Sequence, residues 1–262
     1  MKAKVLFKSR ALILEDDTDA ITSRRERRCL VVGDLHIGFE DKFQSAGVRL
    51  SSNQGAMLEE ILGLISENQI SDLVVNGDVK SGTDRILGSE WENVPKFFTR
   101  LVQEVRVHIV TGNHDGGLSY LLPTGIDLID SNGFFISDTL ILHGHTRPLP
   151  KFSSCRRLIM GHVHPIFQQS GSPLSGQPVW IFLKVRRSSI FPDVITEDSM
   201  LDVILMPSFN LDLVVSGFSA DTAREERRVA PLVRELRTAS EAVVTTLDGE
   251  VIGDASFLER TL

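Results

Sequence analysis

Seven histidines occur in the chain, and six of them sit where apolar runs give way to polar turns: His36, His114, His143, His145, His162 and His164. Only His108 falls inside an apolar run of strand type. A single histidine is usually a hydrogen-bonded core or turn residue. Six at comparable positions ask for a shared task, and a neutral imidazole is the commonest metal ligand. Carboxylates and an amide stand in the same turns. Asp34 precedes His36 by two residues, Asp78 closes "NGD", and Asn113 opens "NHD". The i, i+2 spacing of Asp34 with His36, and of His162 with His164, lets both members of each pair point the same way from an extended strand end. Asp34, His36, Asp78, Asn113, His143, His162 and His164 make three oxygen or amide donors and four imidazoles, without a thiolate. Such a set suits Mn²⁺, Fe²⁺ or Zn²⁺ and not a structural zinc site built on cysteine. Seven groups are too many for one ion and enough for two if one carboxylate bridges. Two ions about 3.5–4 Å apart are a standard device for displacement at phosphorus.

The elements that must carry these residues follow from hydrophobic pattern. Residues 29–33, "CLVVG", read as a buried strand that ends at Asp34. Residues 55–68 place Met57, Leu58, Ile61, Leu62 and Ile65 at helical spacing. "DLVVNGD" is a second strand. "SEWENVPKFFTRLVQEV" is a second helix in which Pro95 marks a bend or the true start. "VRVHIVTGNHD" is a third strand and turn. This βαβαβ order predicts parallel strands with right-handed crossovers, and ligands at their carboxyl ends. After residue 125 short apolar runs predominate, which predicts a strand-rich second half. A helical stretch near 224–242 and a hairpin turning at Asp248-Gly249 close the chain. The class is α/β.

Composition narrows the setting. The chain has 262 residues, 42% hydrophobic and 24% charged, within the range of one sizeable soluble domain. It has no apolar run of transmembrane length and no good signal peptide, and its two cysteines, Cys29 and Cys155, are far apart. The expected location is therefore the reducing cytoplasm, away from membranes. A net charge of −7 argues against coating duplex DNA through the whole surface, since phosphate neutralisation drives such binding. A local basic site stays open: Lys80 beside Asp78, and Lys184 and Arg186 in "KVRR", could each meet a phosphate, or be solvated surface cations. His145 could line the same pocket or close a turn. "RRERR", residues 24–28, reads as a solvated loop.

The motifs "GDLH", "NGD", "TGNHD", "LHGH" and "GHVH" stand in the order, and at roughly the intervals, of the calcineurin-like metallophosphoesterases, which the chain resembles over residues 33–164. "VVGDLHIGFEDKFQSAGVRL", "GHVHP" and "ILMPSFN" are similar to an archaeal branch related to the Mre11 and SbcD nucleases. The resemblance implies a four-layer α/β/β/α sandwich with a dimetal site at the strand ends. It implies one domain over 1–262, with a motif core at about 29–215 and an extension at about 216–262 packed on it. It assigns Asp34, His36 and His164 to one metal, Asn113, His143 and His162 to the other, and Asp78 to both. His114 would face the substrate and protonate the leaving oxygen, with Asp115 orienting its ring.

The implied cofactors are two divalent ions, manganese first, with iron, zinc and nickel as alternatives. The implied reaction is hydrolysis of a phosphodiester, DNA and RNA among the candidates, with a nucleic-acid-processing protein as a candidate partner. Phosphomonoesterase, small cyclic-nucleotide phosphodiesterase and non-catalytic scaffold are the alternatives. Lys80-Ser81-Gly82 stands where nuclease relatives often carry a histidine, and the chain lacks length for a capping domain. Both weaken an exonuclease reading.

Overall fold

The computed structural model describes residues 1–15, 27–44, 47, 51–194, 199–215 and 231–258. Two sheets face each other. The first has six strands in the order β1 (Lys2–Val5), β2 (Leu12–Glu15), β3 (Arg28–Val32), β4 (Asp72–Asn76), β5 (Arg106–Val110) and β6 (Ile126–Ile129). β3 to β6 run parallel, while β1 and β2 are antiparallel additions at the edge. The second sheet contains β7 (Phe134–Ile136), β8 (Thr139–Leu142), β9 (Arg157–Met160), β10 (Trp180–Arg186), β11 (Met200–Leu205), β12 (Glu241–Thr245) and β13 (Val251–Asp254). Their order across the sheet is β13-β12-β10-β11-β9-β8-β7. β8, β9 and β11 are mutually parallel, and β10 runs against β11 and β12.

Period-two alternation distributes each strand between two cores. Leu30 and Val32 of β3, with Leu73 and Val75 of β4, face outward onto Ile61 and Ile65 of one helix and Phe97, Phe98 and Leu101 of another. Cys29, Val31 and Val74 face inward, where they meet Ile141, Ile159, Ile204 and Trp180 of the second sheet. The outer face of that sheet packs on Ile190 and on Leu232, Val233 and Leu236 of the helix Pro231–Leu236. Helix, sheet, sheet and helix thus form four layers around three apolar seams, the α/β/β/α architecture that the motifs imply. Strands buried on both faces need nearly continuous apolar runs, as the sequence has. α1 (Asp41–Gln44), α2 (Gln54–Asn68) and α3 (Gly88–Leu101) follow the first turns. α3 begins at Gly88 and keeps Pro95 in its interior, so the proline does not mark the start. The hairpin at Asp248-Gly249 forms, and β12 extends the second sheet against β10. Of the helical stretch at 224–242, only 231–236 is helical among the described residues, and 216–230 lie outside them. Among the described residues no helix is long and apolar enough to cross a membrane.

The ends of the strands opposite the histidine turns are held by charge. Asp72, wholly buried at the start of β4, accepts from Arg27 (2.9 and 3.2 Å) and Ser71 (2.7 Å), and lies 3.3 Å from His108 Nε2. Arg27 is thus an ion-pair partner and not part of a solvated loop; residues 24–26 lie outside the described residues. Burial pushes the Asp72 pKa up, but the bonds from Arg27, Ser71 and His108 together outweigh it and hold the group at about 2. A depressed folded pKa stabilises above the unfolded value and is lost as pH falls toward the folded one. Asp72→Asn should therefore cost about 1–2 kcal/mol near neutrality, a figure reduced because Arg27 is partly solvated. Urea titrations should show the gap between variant and parent closing as pH falls from about 4 to 2.

Candidate metal centre

The turns at the carboxyl ends of β3, β4, β5, β8 and β9 converge between the two sheets. In the turn after β3, Asp34 and His36 take left-handed backbone angles, φ 57° and 43°. Asp78 (50°), His162 (68°) and His164 (41°) do the same. The extended strand end expected for the i, i+2 pairs is therefore corrected. Each pair points one way because both of its members are left-handed, a conformation costing roughly 1–2 kcal/mol per non-glycine residue and tolerated best by Asp, Asn and His.

Backbone bonds between turns hold this strain. Asp34 N donates to Gly77 O (3.0 Å) and His36 N to Asp78 O (2.9 Å). From beyond β11, Phe209 N donates to Gly33 O (2.9 Å), Ser208 Oγ to Asp34 O (2.9 Å) and Asn210 Nδ2 to Leu35 O (2.9 Å). Ser208 and Asn210 are thus supports of the Asp34–His36 turn. Nothing local in "ILMPSFN" shows that it holds a loop some 170 residues away. Gly77 and Gly112 are required by space. A Cβ on Gly77 would lie 2.2 Å from His143 Nδ1, and one on Gly112 would lie 2.2 Å from Asp78 Oδ1.

Two donor groups result, and they share a member. Ligand atoms of Asp34, His36, Asp78 and His164 lie within 4.8 Å of one another, as do those of Asp78, His143 and His162. Asn113 Oδ1 is 3.2 Å from His143 Nε2, which puts the amide beside the second group. Asp78 Oδ1 accepts the His114 backbone N–H (2.9 Å), while Oδ2 lies 3.4 Å from His36 Nε2 and 3.3 Å from His143 Nε2.

The unpartnered atoms test whether cations fit. Asp34 Oδ2, both His36 ring nitrogens, His162 Nε2 and His164 Nε2 are buried without hydrogen bonds. His164 Nε2 comes within 2.9 Å of Asp34 Oδ1, yet is not aligned for a bond. Buried polar atoms are normally satisfied. Lone pairs of oxygen and imidazole that converge and stay unmatched suit a divalent cation.

Titration behaviour points the same way. Burial lowers the His143 pKa, but Asp78 first and then Asp34, with the Asn76 carbonyl at 3.0 Å, carry it to about 10. The cause is the unneutralised negative charge of Asp78 and Asp34 around its ring. His162 falls to about 2 and His145 to about 4, through burial and then the charge on His143. His36 is pushed well below the usual range by burial, against the pull of Asp78.

His114 stands at the edge of the group. Its Nδ1 meets Ser81 O at 2.8 Å, its ring lies edge-on to His36, and Nε2 is 3.8 Å from Asp78 Oδ2. Asp115 does not reach the His114 ring, so the orienting role implied for it is corrected. Its carboxyl accepts from Gly112 N (2.8 Å) and Val79 N (2.9 Å), tying the turn after β5 to the turn after β4. Burial, then Asp78, raise its pKa to about 6. His145 packs beside His143 and His162, with ring centroids 5.4 and 6.2 Å away.

Three basic residues are placed differently from expectation. Lys80 is completely buried, and its ammonium donates to the Gly82 carbonyl, so it is not a solvated surface cation and its charge is engaged by a backbone oxygen. Lys184 and Arg186 belong to β10, which runs antiparallel to β11. Arg186 pairs with Met200 at the start of β11, five residues from Leu205, so at roughly 3.3 Å per residue it lies about 17 Å from the histidine end. Lys184 lies instead 3.7 Å from Glu241. A strand end was legible in the sequence, but not which end of the sheet it would occupy.

Residues 27–217 match the family described as "Calcineurin-like phosphoesterase". Comparison with curated proteins gave no match. Among solved structures, a nuclease MPE of Pseudomonas putida is similar at 20% identity and TM-score 0.47, covering 70% of this chain and 74% of its own. Yfce, a phosphoesterase from E. coli, is similar at 13% identity and TM-score 0.38, covering 86% and 97%. With its paired donor groups at the sheet ends, the chain belongs to the calcineurin-like phosphoesterase family and is a metal-dependent hydrolase of phosphoester bonds.

Proposed function

We propose that the chain is a phosphodiesterase using two divalent ions, manganese first, with nucleic acid as its leading substrate class. In this reading Asp34, His36 and His164 hold one ion, Asn113, His143 and His162 the other, and Asp78 both. The observation that carries it is the sharing of Asp78 between two groups of inward-facing lone pairs. When bound, the ions supply a water of lowered pKa and neutralise charge on the phosphoryl oxygens.

The chain's own residues do the rest. His114, fixed through Nδ1 by Ser81 O, exchanges a proton at Nε2 with the leaving oxygen. Asp115 holds the turn that presents it. The burial of Lys80 favours a diester, because that ammonium does not offer the extra positive charge that a monoester dianion calls for. Cys29 and Cys155, buried and unpaired, suit a reducing cytoplasm.

The test is a hydrolysis panel in Mn²⁺. Bis-p-nitrophenyl phosphate should be cleaved faster than p-nitrophenyl phosphate, and single-stranded DNA, duplex DNA and RNA complete the panel. A clear monoester preference would replace the diesterase reading with a phosphomonoesterase. Cleavage of nucleic acid should weaken as salt rises, since contacts to the phosphate backbone must displace counterions.

A further inference from the structure

Glu90 is a fully buried acidic residue that lies on α3, outside the turns of the metal centre. It occupies the third position of α3, where Oε2 accepts the Leu87 N–H at 2.7 Å and closes the first turn. Its other oxygen is used outside the helix. Oε1 accepts from Gly82 N (2.7 Å) and Ser81 N (2.9 Å), and Ser81 N is shared with the Ile37 carbonyl at 3.1 Å. Packing holds the side chain in place: a Cβ on Gly38 would lie 2.9 Å from Glu90 Cγ.

Gly82 N–H and Ser81 C=O belong to one peptide unit. In a planar trans peptide the two groups point in opposite directions. Fixing the N–H on Glu90 therefore fixes where the carbonyl points, and that carbonyl meets His114 Nδ1 at 2.8 Å. Bonds at both ends of one peptide also polarise it, which strengthens the carbonyl as an acceptor.

We propose that Glu90 is a positioning residue for His114, acting through the Ser81–Gly82 peptide to set which ring nitrogen is held and which faces the leaving oxygen. This rests on the reading of His114 as the group that protonates the leaving oxygen.

The test uses Glu90→Gln and Glu90→Ala, alone and combined with His114→Ala. Glutamine keeps the volume but offers one acceptor oxygen where three N–H groups need two. If the alanine variant fails to fold, the glutamine variant decides. On an alkyl phosphodiester kcat should fall roughly 10-fold or more, as expected for a misplaced reacting group, with KM within about twofold and bound manganese unchanged. The loss should shrink for bis-p-nitrophenyl phosphate, whose leaving group needs little protonation. In the His114→Ala background the Glu90 substitutions should cost less than about twofold, because coupled residues do not add. Equal losses for both leaving groups, full additivity with His114→Ala, or parental rates in both single variants would overturn the proposal. If His114→Ala alone were silent, the acid reading would fall and this one with it. If His114→Ala were slow and the Glu90 loss simply added, only the positioning role would fall.

Discussion

Asp78→Asn should empty the centre of both ions. The carboxyl is the one member common to the two donor groups, so its loss weakens each. Asparagine is the sharper substitution than alanine. It tolerates the left-handed backbone at position 78 and can still accept the His114 N–H through Oδ1. What it removes is the charge and the second acceptor oxygen between His36 and His143.

Manganese-loaded parent, desalted and analysed for metal, should hold about two ions per chain, and the variant well under one. Turnover should fall on the order of 10³-fold or more, since ligand loss removes the ions' whole contribution to the barrier. A third readout does not depend on activity. Manganese should raise the melting temperature of the parent, because anything that binds only the folded state stabilises it, and that shift should disappear in Asp78→Asn. Two tightly held ions and parental turnover in the variant would refute the shared role of Asp78.

His114→Ala should give the opposite pattern, with metal retained and chemistry slowed. Nδ1 is committed to Ser81 O, and Nε2 lies farther from Asp78 Oδ2 (3.8 Å) than do the nitrogens of His36 and His143. General acid–base groups contribute about 10²–10⁴-fold, so the expected loss is about 3–5 kcal/mol of barrier. The loss should be smaller with p-nitrophenolate as leaving group. Asn113→Ala is the paired control one residue away, and should lose occupancy at one ion. A missing ion in crystals of His114→Ala soaked in Mn²⁺, or unchanged turnover on an alkyl phosphodiester, would show that the role given to His114 is wrong.

Much of this centre could be read before any coordinates. The residue types at positions 34, 36, 78, 113, 143, 162 and 164 are the ones that divalent chemistry needs, and each follows an apolar run long enough to be a strand. The parallel β3-β4-β5 order followed from the helices between them, and parallel strands bring their carboxyl ends to one edge. The second sheet was legible as a series of strands but not as an order, because β9 pairs directly with β11, while β10, which lies between them in sequence, joins β11 from its other edge.

What the sequence determined was therefore local: which residues are strands, which turns follow them, and which donors those turns carry. What only the tertiary structure decided was direction and support. Lys80 reads as a cation near phosphate or a solvated one, yet it is buried and its ammonium meets the Gly82 carbonyl. Lys184 and Arg186 read as a basic strand end, yet antiparallel pairing points that end away from the histidine turns. Asp115 looked like a brace for the adjacent His114, yet its oxygens bind backbone N–H groups, and His114 rests on Ser81. Ser208, Asn210 and Glu90 gave no local sign of their contacts. A strand's hydrophobic pattern specifies its faces through nearest neighbours, but where a turn's side chain points depends on hydrogen bonds that only the folded chain sets, some with residues far away, as Asn210 with Leu35, and some with near ones, as Lys80 with Gly82.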